Sequence, residues 1–230
     1  MAQQETALIV GAGAGLSASL ARLFAKEGMK VALAARDIRK LDDLVKETGS
    51  RAYPCDASSS ADVEKLFGSV GKEIGEPNLV VYNASGRVRG PLAELDPEET
   101  RKTIMITCYG GFLVGQGAAK RMLEAGRGTI LFTGASASIK GFANSAAFAM
   151  GKMGLTGLVQ SMARELQPKN IHVAQVVIDG GIAKAGRSPE RGADGFLHPD
   201  EIAQTYLQLH RQHRSAWASY IELRPWSERF

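Results

Sequence analysis

The sequence predicts an α/β fold in which a doubly wound parallel sheet of about seven strands carries helices on both faces. Short β-branched and apolar runs alternate with longer helical patterns along nearly the whole chain, as in parallel strands joined by crossover helices. The length of 230 residues suits one domain, and 44% apolar content provides a sizeable core. Because no repeat or linker interrupts the alternation, we assign residues 1–230 to a single domain.

The elements follow in order along the chain. The predicted strands are Thr6–Val10, Lys30–Ala35, Arg51–Cys55, Asn78–Asn83, Gly128–Thr133, Ile171–Ile178 and Ser219–Arg224. Helical patterns lie near residues 15–27, 38–48, 60–74, 97–125, 144–166 and 199–212. Segment 183–197 has no clean period and follows the sixth strand, at the edge of the sheet where such folds bind ligands. Two interpretations of this segment are open: a loop on the substrate side, or a plain irregular connection.

Composition excludes several classes of function. The 28 basic and 24 acidic residues are scattered, which disfavours nucleic-acid binding. No apolar stretch approaches the ~20 residues that span a bilayer, and the N-terminus lacks a signal peptide's basic region. We therefore expect a cytoplasmic protein without membrane association. Cys55 and Cys108 are expected to be free thiols, and His210 with His213 lacks a third ligand for a metal.

The first strand runs into a glycine turn and a helix in the stretch "TALIVGAGAGLSASLARLFAKEG". Gly11, Gly13 and Gly15 allow a tight turn and a close approach to a pyrophosphate, and the helix that follows offers unpaired N–H groups and the positive end of its dipole. A glycine pattern alone is weak, but its position inside a βαβ unit is the confirming context. The stretch predicts a Rossmann-type nucleotide site.

The end of the second strand bears on the choice of cofactor. Ala35 stands where a carboxylate would bind the ribose 2′-hydroxyl of NAD, and Arg36 follows it. A guanidinium suits a 2′-phosphate, which a carboxylate would repel. Asp37 weakens the argument slightly, although it also suits the N-cap of the next helix. NADP is therefore favoured over NAD.

These features together resemble the short-chain dehydrogenase/reductase family. "GAGAGLS" resembles its glycine turn, with Ser17 in the place of the third glycine, and "CDAS", "YNASG" and "VVIDGGI" resemble its segments after the third, fourth and sixth strands. Asp179 stands where the last of these usually has proline. The resemblance implies cofactor contacts at Gly11, Gly13, Gly15, Leu16, Arg36, Asp56, Ala57, Asn83, Ala84, Ser85, Lys152 and Ile182.

The family's catalytic tetrad of Asn, Ser, Tyr and Lys is incomplete here. "FAMGK" aligns with Tyr-x-x-x-Lys, so Phe148 occupies the tyrosine position and Lys152 the lysine position. The serine position falls on Ala135, with Ser136 next and Ser138 close by, and the asparagine position falls on Thr107. The resemblance thus implies Lys152 and Ser136 as the catalytic candidates, Lys152 also binding the nicotinamide ribose.

Phe148 keeps the aromatic ring but has no oxygen, so it cannot be an acid or a base. Residues four apart share a helix face, which predicts Phe148 and Lys152 in one cleft. Ser136, Lys152 or water would then deliver the proton, and Tyr109, on a neighbouring helix, offers either a displaced hydroxyl or core packing.

The first hypothesis is that the protein is an NADP-dependent oxidoreductase with an atypical proton donor. Its substrate would be an unidentified small carbonyl compound, alcohol or activated double bond. The alternative is an NADP(H)-binding protein without turnover, such as a sensor or an assembly partner.

Small and apolar residues surround more of helix 144–166 than one buried stripe needs. This distribution predicts a homodimer or homotetramer through that helix, and the resemblance implies the same, since family members pair this helix across a two-fold axis.

Overall fold

The computed structural model describes residues 4–184 and 194–228. Its strands form one parallel sheet in the order β3-β2-β1-β4-β5-β6-β7. They are β1 Thr6–Val10, β2 Lys30–Ala35, β3 Arg51–Pro54, β4 Leu79–Tyr82, β5 Gly128–Ala135, β6 Ile171–Ile178 and β7 Tyr220–Leu223. The order reverses between β1 and β4, so the predicted doubly wound parallel sheet of about seven strands is confirmed.

Helices cover both faces of the sheet. They are α1 Leu16–Lys26, α2 Asp42–Thr48, α3 Ser60–Glu73, α4 Pro97–Ile104, α5 Gly110–Ala125, α6 Ala146–Leu166 and α7 Pro199–Arg211. One apolar cluster packs α1, α2 and α7 against the sheet, and a second packs α3, α5 and α6 against its other face. Since both faces are covered, strands β1, β4 and β6 are buried along their whole length, without alternation between buried and exposed residues. Among the described helices, none is long and apolar enough to cross a membrane.

The predicted helix 97–125 is not one regular helix. A π-helical segment, Met105–Tyr109, separates α4 from α5. Within it Thr107 is fully buried, and its hydroxyl accepts a hydrogen bond from the backbone N–H of Gly86 at 2.9 Å. π-Helical turns are rare and occur mostly as single turns within helices, frequently at functional sites. The hydrophobic pattern continues through the segment, so sequence periodicity does not reveal it.

Smaller differences concern the ends of elements. The predicted helix 38–48 begins with a 3-10 turn, Ile38–Leu41, capped by Asp37, whose carboxylate accepts from the Arg39 N–H. Strand β5 extends to Ala135, because Thr133, Gly134 and Ala135 all pair with β6.

The predicted loop 183–197 lies largely outside the described residues, which omit 185–193. Its flanks are joined by two backbone hydrogen bonds. Ala183 N–H donates to the Leu197 carbonyl at 2.8 Å, and Leu197 N–H donates to the Gly181 carbonyl at 2.9 Å. The chain on one side of this segment, at Gly181 and Ala183, therefore lies next to the chain on its other side, at Leu197.

Candidate active site

Two cavities open at the carboxyl ends of the strands, where the sheet order reverses. Cavity A, about 340 Å³, lies beyond β1, β2 and β3 and is lined by Gly11, Arg36, Lys40, Asp56 and Ala57 among others. Cavity B, about 680 Å³, lies beyond β4, β5 and β6; its lining includes Arg87, Arg89, Ser136, Phe148, Lys152 and Ile182. Asn83 and Ser85 line both. Ligands bind at this switch point in open α/β sheets.

The glycine turn has one crowded glycine and two open ones. Gly11 has φ +88°, and a Cβ there would lie 2.4 Å from the backbone N of Ala84, so only glycine fits. A Cβ at Gly13 or Gly15 would meet no atom within 4 Å. The space beside the turn is thus open to a ligand, in front of the α1 N-terminus, where Gly15 supplies no side-chain cap.

Leu16 enters this arrangement through its backbone alone. It is the first residue of α1, and its side chain is buried in the apolar cluster between α1 and the sheet. Its N–H belongs to the first turn of the helix, where the backbone N–H groups have no hydrogen-bond acceptor within the helix.

Ser17 and Asn83 join the glycine turn to the end of β4. The Ser17 hydroxyl donates to the Gly11 carbonyl at 3.0 Å and accepts from the Asn83 side-chain amide at 2.7 Å. The substitution of the family's third glycine by Ser17 therefore adds a hydrogen-bonded connection here. Sequence reasoning identified both residues and missed their contact, because 66 positions separate them.

Arg36, the residue predicted to contact a 2′-phosphate, lines cavity A, and so does Lys40, which sequence reasoning missed. Asp37 also lines the cavity, but its carboxylate accepts from the Arg39 guanidinium at 2.9 Å and lies 3.9 Å from the Lys40 ammonium. The hydrogen bond from Arg39 lowers the pKa of Asp37. The negative charge of Asp37 is therefore compensated locally, and Arg36 and Lys40 add positive charge to the wall of cavity A, which Asp56 also lines.

The predicted contacts beyond β3 and β4 also line cavity A. They are Asp56, Ala57, Asn83, Ala84 and Ser85. The Asp56 carboxylate accepts from both the hydroxyl and the backbone N–H of Ser58, at 2.6 and 2.9 Å. These hydrogen bonds, with a smaller contribution from the Arg36 charge, lower the pKa of Asp56. The carboxylate is therefore ionised and held in a fixed orientation.

Lys152 is buried at the wall of cavity B. Its ammonium donates to the Thr133 carbonyl on β5 at 2.7 Å, and only 3% of the residue is exposed. None of the described carboxylates forms an ion pair with it. Burial and the nearby charge of Arg87 lower the pKa of Lys152 from 10.5 to about 7. Near neutral pH this side chain can therefore give or take a proton.

Phe148 lies beside Lys152 in cavity B, as helix spacing predicted. The Lys152 Nζ atom is 5.9 Å from the centroid of the Phe148 ring. A second cation, the Arg87 guanidinium, stacks on the same ring at 4.2 Å from its centroid. This stack is a cation–π contact, and sequence reasoning missed Arg87 because the loop after β4 has no periodic pattern to orient its side chains.

Ser136 also lines cavity B, and it lies near Asp179, whose pKa it lowers. Asp179 forms an ion pair with Arg224, whose guanidinium nitrogen lies 2.6 Å from the carboxylate. Although burial raises the pKa of Asp179, the hydrogen bonds from Ser136 and Arg224 and the Arg224 charge give a net lowering. The aspartate in the family's proline position is thus paired and ionised.

Three residues considered from sequence lie outside both cavities. Thr107 is buried and bonded to Gly86. Ser138 accepts from the Ala135 N–H at 3.1 Å, as a turn former does. Tyr109 is neither in the core nor at the site: 39% of it is exposed, and it stacks on Phe112 with centroids 5.9 Å apart. The π-helical segment sets these orientations for Thr107 and Tyr109.

The two histidines near the end of α7 have other partners. His210 contacts the Thr129 hydroxyl at 3.0 Å and the Glu5 carboxylate at 3.3 Å, while His213 contacts the Ser215 hydroxyl at 2.8 Å. In the described parts of the chain, no group of three or more His, Cys, Asp or Glu residues is arranged to hold a metal ion.

The chain belongs to the short-chain dehydrogenase family, since the family model described as short chain dehydrogenase matches residues 5–189. A D-threitol dehydrogenase from Mycolicibacterium smegmatis is 26% identical over 221 residues, which cover 89% of this chain and 85% of that protein. Family membership therefore extends over most of the chain, as the motifs indicated.

Solved structures agree in fold over nearly the full length. A short-chain dehydrogenase from Rhodopseudomonas palustris is 35% identical, with a TM-score of 0.85, and the match covers 97% of this chain and 100% of that one. A metagenomic short-chain oxidoreductase, solved in complex with NADP, is 29% identical with a TM-score of 0.82; the match covers 96% of this chain and 97% of that one.

The low pKa of Lys152 predicts how stability changes with pH. Between pH 7 and 10.5 the unfolded chain keeps a proton that the folded chain has released, so this group's contribution to the free energy of unfolding rises with pH. Wild type should therefore gain stability relative to Lys152→Met from pH 7 towards 10, measured by urea unfolding. The exposed Lys65→Met is the control, and a constant gap between wild type and Lys152→Met would contradict the assignment.

Proposed function

We propose that the protein is an NADP-dependent oxidoreductase of the short-chain dehydrogenase/reductase type, acting on a small carbonyl compound, alcohol or activated double bond. The observation that carries this proposal is the pair of neighbouring cavities, which share Asn83 and Ser85 in their walls. Cavity A offers Arg36 and Lys40 to a 2′-phosphate, and cavity B places the buried Lys152 on the far side of the shared Asn83. The relative solved in complex with NADP supports this choice of cofactor.

The residues present fit the dinucleotide. The open space beside Gly13 and Gly15 and the α1 N-terminus would hold the pyrophosphate, and Ile182 would lie against the carboxamide. A nicotinamide, when bound, supplies or accepts the hydride. Lys152 then delivers the proton to the substrate oxygen, directly or through water, since its pKa of about 7 suits a general acid near neutral pH. Ser136, which also lines cavity B, orients the substrate.

A second candidate is an NADP(H)-binding protein without turnover. Phe148 has no hydroxyl, and Thr107 is buried away from cavity B, which together favour this alternative. A substrate panel of ketones, aldehydes and enones, followed by NADPH absorbance and combined with an NADPH binding titration, separates the two. Turnover of any member supports the oxidoreductase, whereas tight NADPH binding without turnover supports the second candidate.

Arg36→Ala should weaken NADPH binding about tenfold or more and leave NADH binding nearly unchanged. A hydrogen bond to a charged group contributes roughly 1.5–3 kcal/mol, and 1.4 kcal/mol corresponds to tenfold in affinity. Fluorescence titration with each cofactor measures both values. Arg101→Ala, an exposed arginine on α4, is the control. Equal losses for the two cofactors would show that Arg36 does not contact the 2′-phosphate.

Phe148→Tyr should raise turnover if the protein is a weakened carbonyl reductase. Positioned acid catalysis contributes typically 10²–10⁴-fold, and Thr107 and Ala135 in the other tetrad positions limit the gain to less than that. Phe142→Tyr adds a hydroxyl elsewhere in cavity B and serves as the control. An increase of the same size in both variants, or none in Phe148→Tyr, would argue against the missing hydroxyl as the limit on rate.

The protein should be a homodimer or homotetramer through α6. Met150 and Met153 on this helix are 55% and 41% exposed, an apolar surface that a partner helix would cover. Light scattering at micromolar concentration should give a multiple of the monomer mass. Met150→Glu should lower it, whereas Leu92→Glu, at an exposed leucine outside α6, should not. A monomeric mass for wild type would be the contrary result.

A further inference from the structure

Cavity B is unusually cationic for a site that accepts a small neutral alcohol or ketone. Four basic residues line it: Arg87, Arg89, Lys152 and Lys184. Within the described part of the chain, no aspartate or glutamate lines it. The remaining wall is largely small or apolar and includes Phe142, Phe148 and Ile178. Charges that converge on one pocket orient a ligand that carries the opposite charge.

Arg87 and Arg89 have no carboxylate partner among the described residues. Other arginines of the chain do, such as Arg22 with Glu47 at 2.7 Å and Arg51 with Glu73 at 3.0 Å. The two cavity arginines instead lie near each other. Burial and, to a smaller extent, the positive charge of Arg89 lower the pKa of Arg87. An anion between like charges would relieve this repulsion.

The cofactor does not account for these two arginines. Neither lines cavity A, where Arg36 and Lys40 would meet the 2′-phosphate of the proposed cofactor. Both belong to the loop that follows β4, and both line cavity B. This cavity would hold the substrate.

Phe148 fixes the orientation in which Arg87 meets a ligand. The guanidinium carbon lies over the ring, 4.2 Å from its centroid, and both residues line cavity B. The N–H donors of a guanidinium lie in its plane and point outward from its edge. Such a group binds carboxylate or phosphate oxygens in a bidentate manner.

We propose that Arg87, stacked on Phe148, and Arg89 bind an anionic oxygen group of the substrate, so that the protein acts on carbonyl compounds that carry a carboxylate or a phosphate. In this inference, the assignment of a reacting carbonyl rests on the proposed function. The assignment of an anionic group rests on the geometry of cavity B alone. In this assignment, the phenylalanine in the tyrosine position contributes to recognition by holding Arg87.

The test measures binding, by calorimetry, to the protein saturated with NADP⁺, which fills cavity A. Two matched probe pairs separate the sources of charge: 3-oxobutanoate against 3-oxobutanamide, and dihydroxyacetone phosphate against dihydroxyacetone. At least one anionic probe should bind about tenfold or more tightly than its neutral partner. That preference should disappear in the Arg87→Gln/Arg89→Gln variant and persist in Arg214→Met, an exposed arginine outside both cavities.

Three results would overturn the inference: equal affinity within both pairs, no binding of any probe, or a preference that survives in Arg87→Gln/Arg89→Gln. A separate NADPH titration distinguishes this failure from failure of the proposed function. If NADPH binds and neutral ketones are reduced while the anion preference is absent, only the anion assignment is wrong. If NADPH does not bind, the same probe titrations without cofactor still decide the anion site.

Discussion

The contact between the glycine turn after β1 and the end of β4 determines where everything else in the site can lie. Gly11 packs so closely on Ala84 that a Cβ would fall 2.4 Å from its backbone nitrogen, and the Ser17 hydroxyl connects the Gly11 carbonyl to the Asn83 amide. This is the point where the sheet reverses its order. The two cavities open on either side of it and share Asn83, so a ligand that spans both must cross this contact.

The fold could be predicted from sequence because its signals are local. Apolar runs, glycine turns and helical periodicity each occupy a short window, and they placed every strand to within about two residues. The π-helical segment was missed because its residues keep a helical pattern and only their hydrogen bonds differ. As a result, the residue aligned with the family's asparagine, Thr107, is a buried support for Gly86.

The candidate site could be predicted only in part, since family motifs identify residues and not their partners. Most of the named cofactor positions line cavity A, and Lys152, Phe148 and Ser136 line cavity B. Lys40, Arg87 and the Asp179–Arg224 ion pair were missed. Each depends on a contact across the chain, or on the path of a loop, for which a single sequence has no signal.

The buried Lys152 gives a physical reason why the loss of tyrosine need not abolish proton transfer. In the family's arrangement the tyrosine hydroxyl delivers the proton, and the adjacent ammonium lowers the pKa of the phenol. Here the ring has no hydroxyl. Burial of Lys152, which is 3% exposed, and to a smaller extent the positive charge of Arg87 lower the pKa of the lysine to about 7. In the proposed oxidoreductase, the proton that a ring hydroxyl would deliver would therefore come from Lys152.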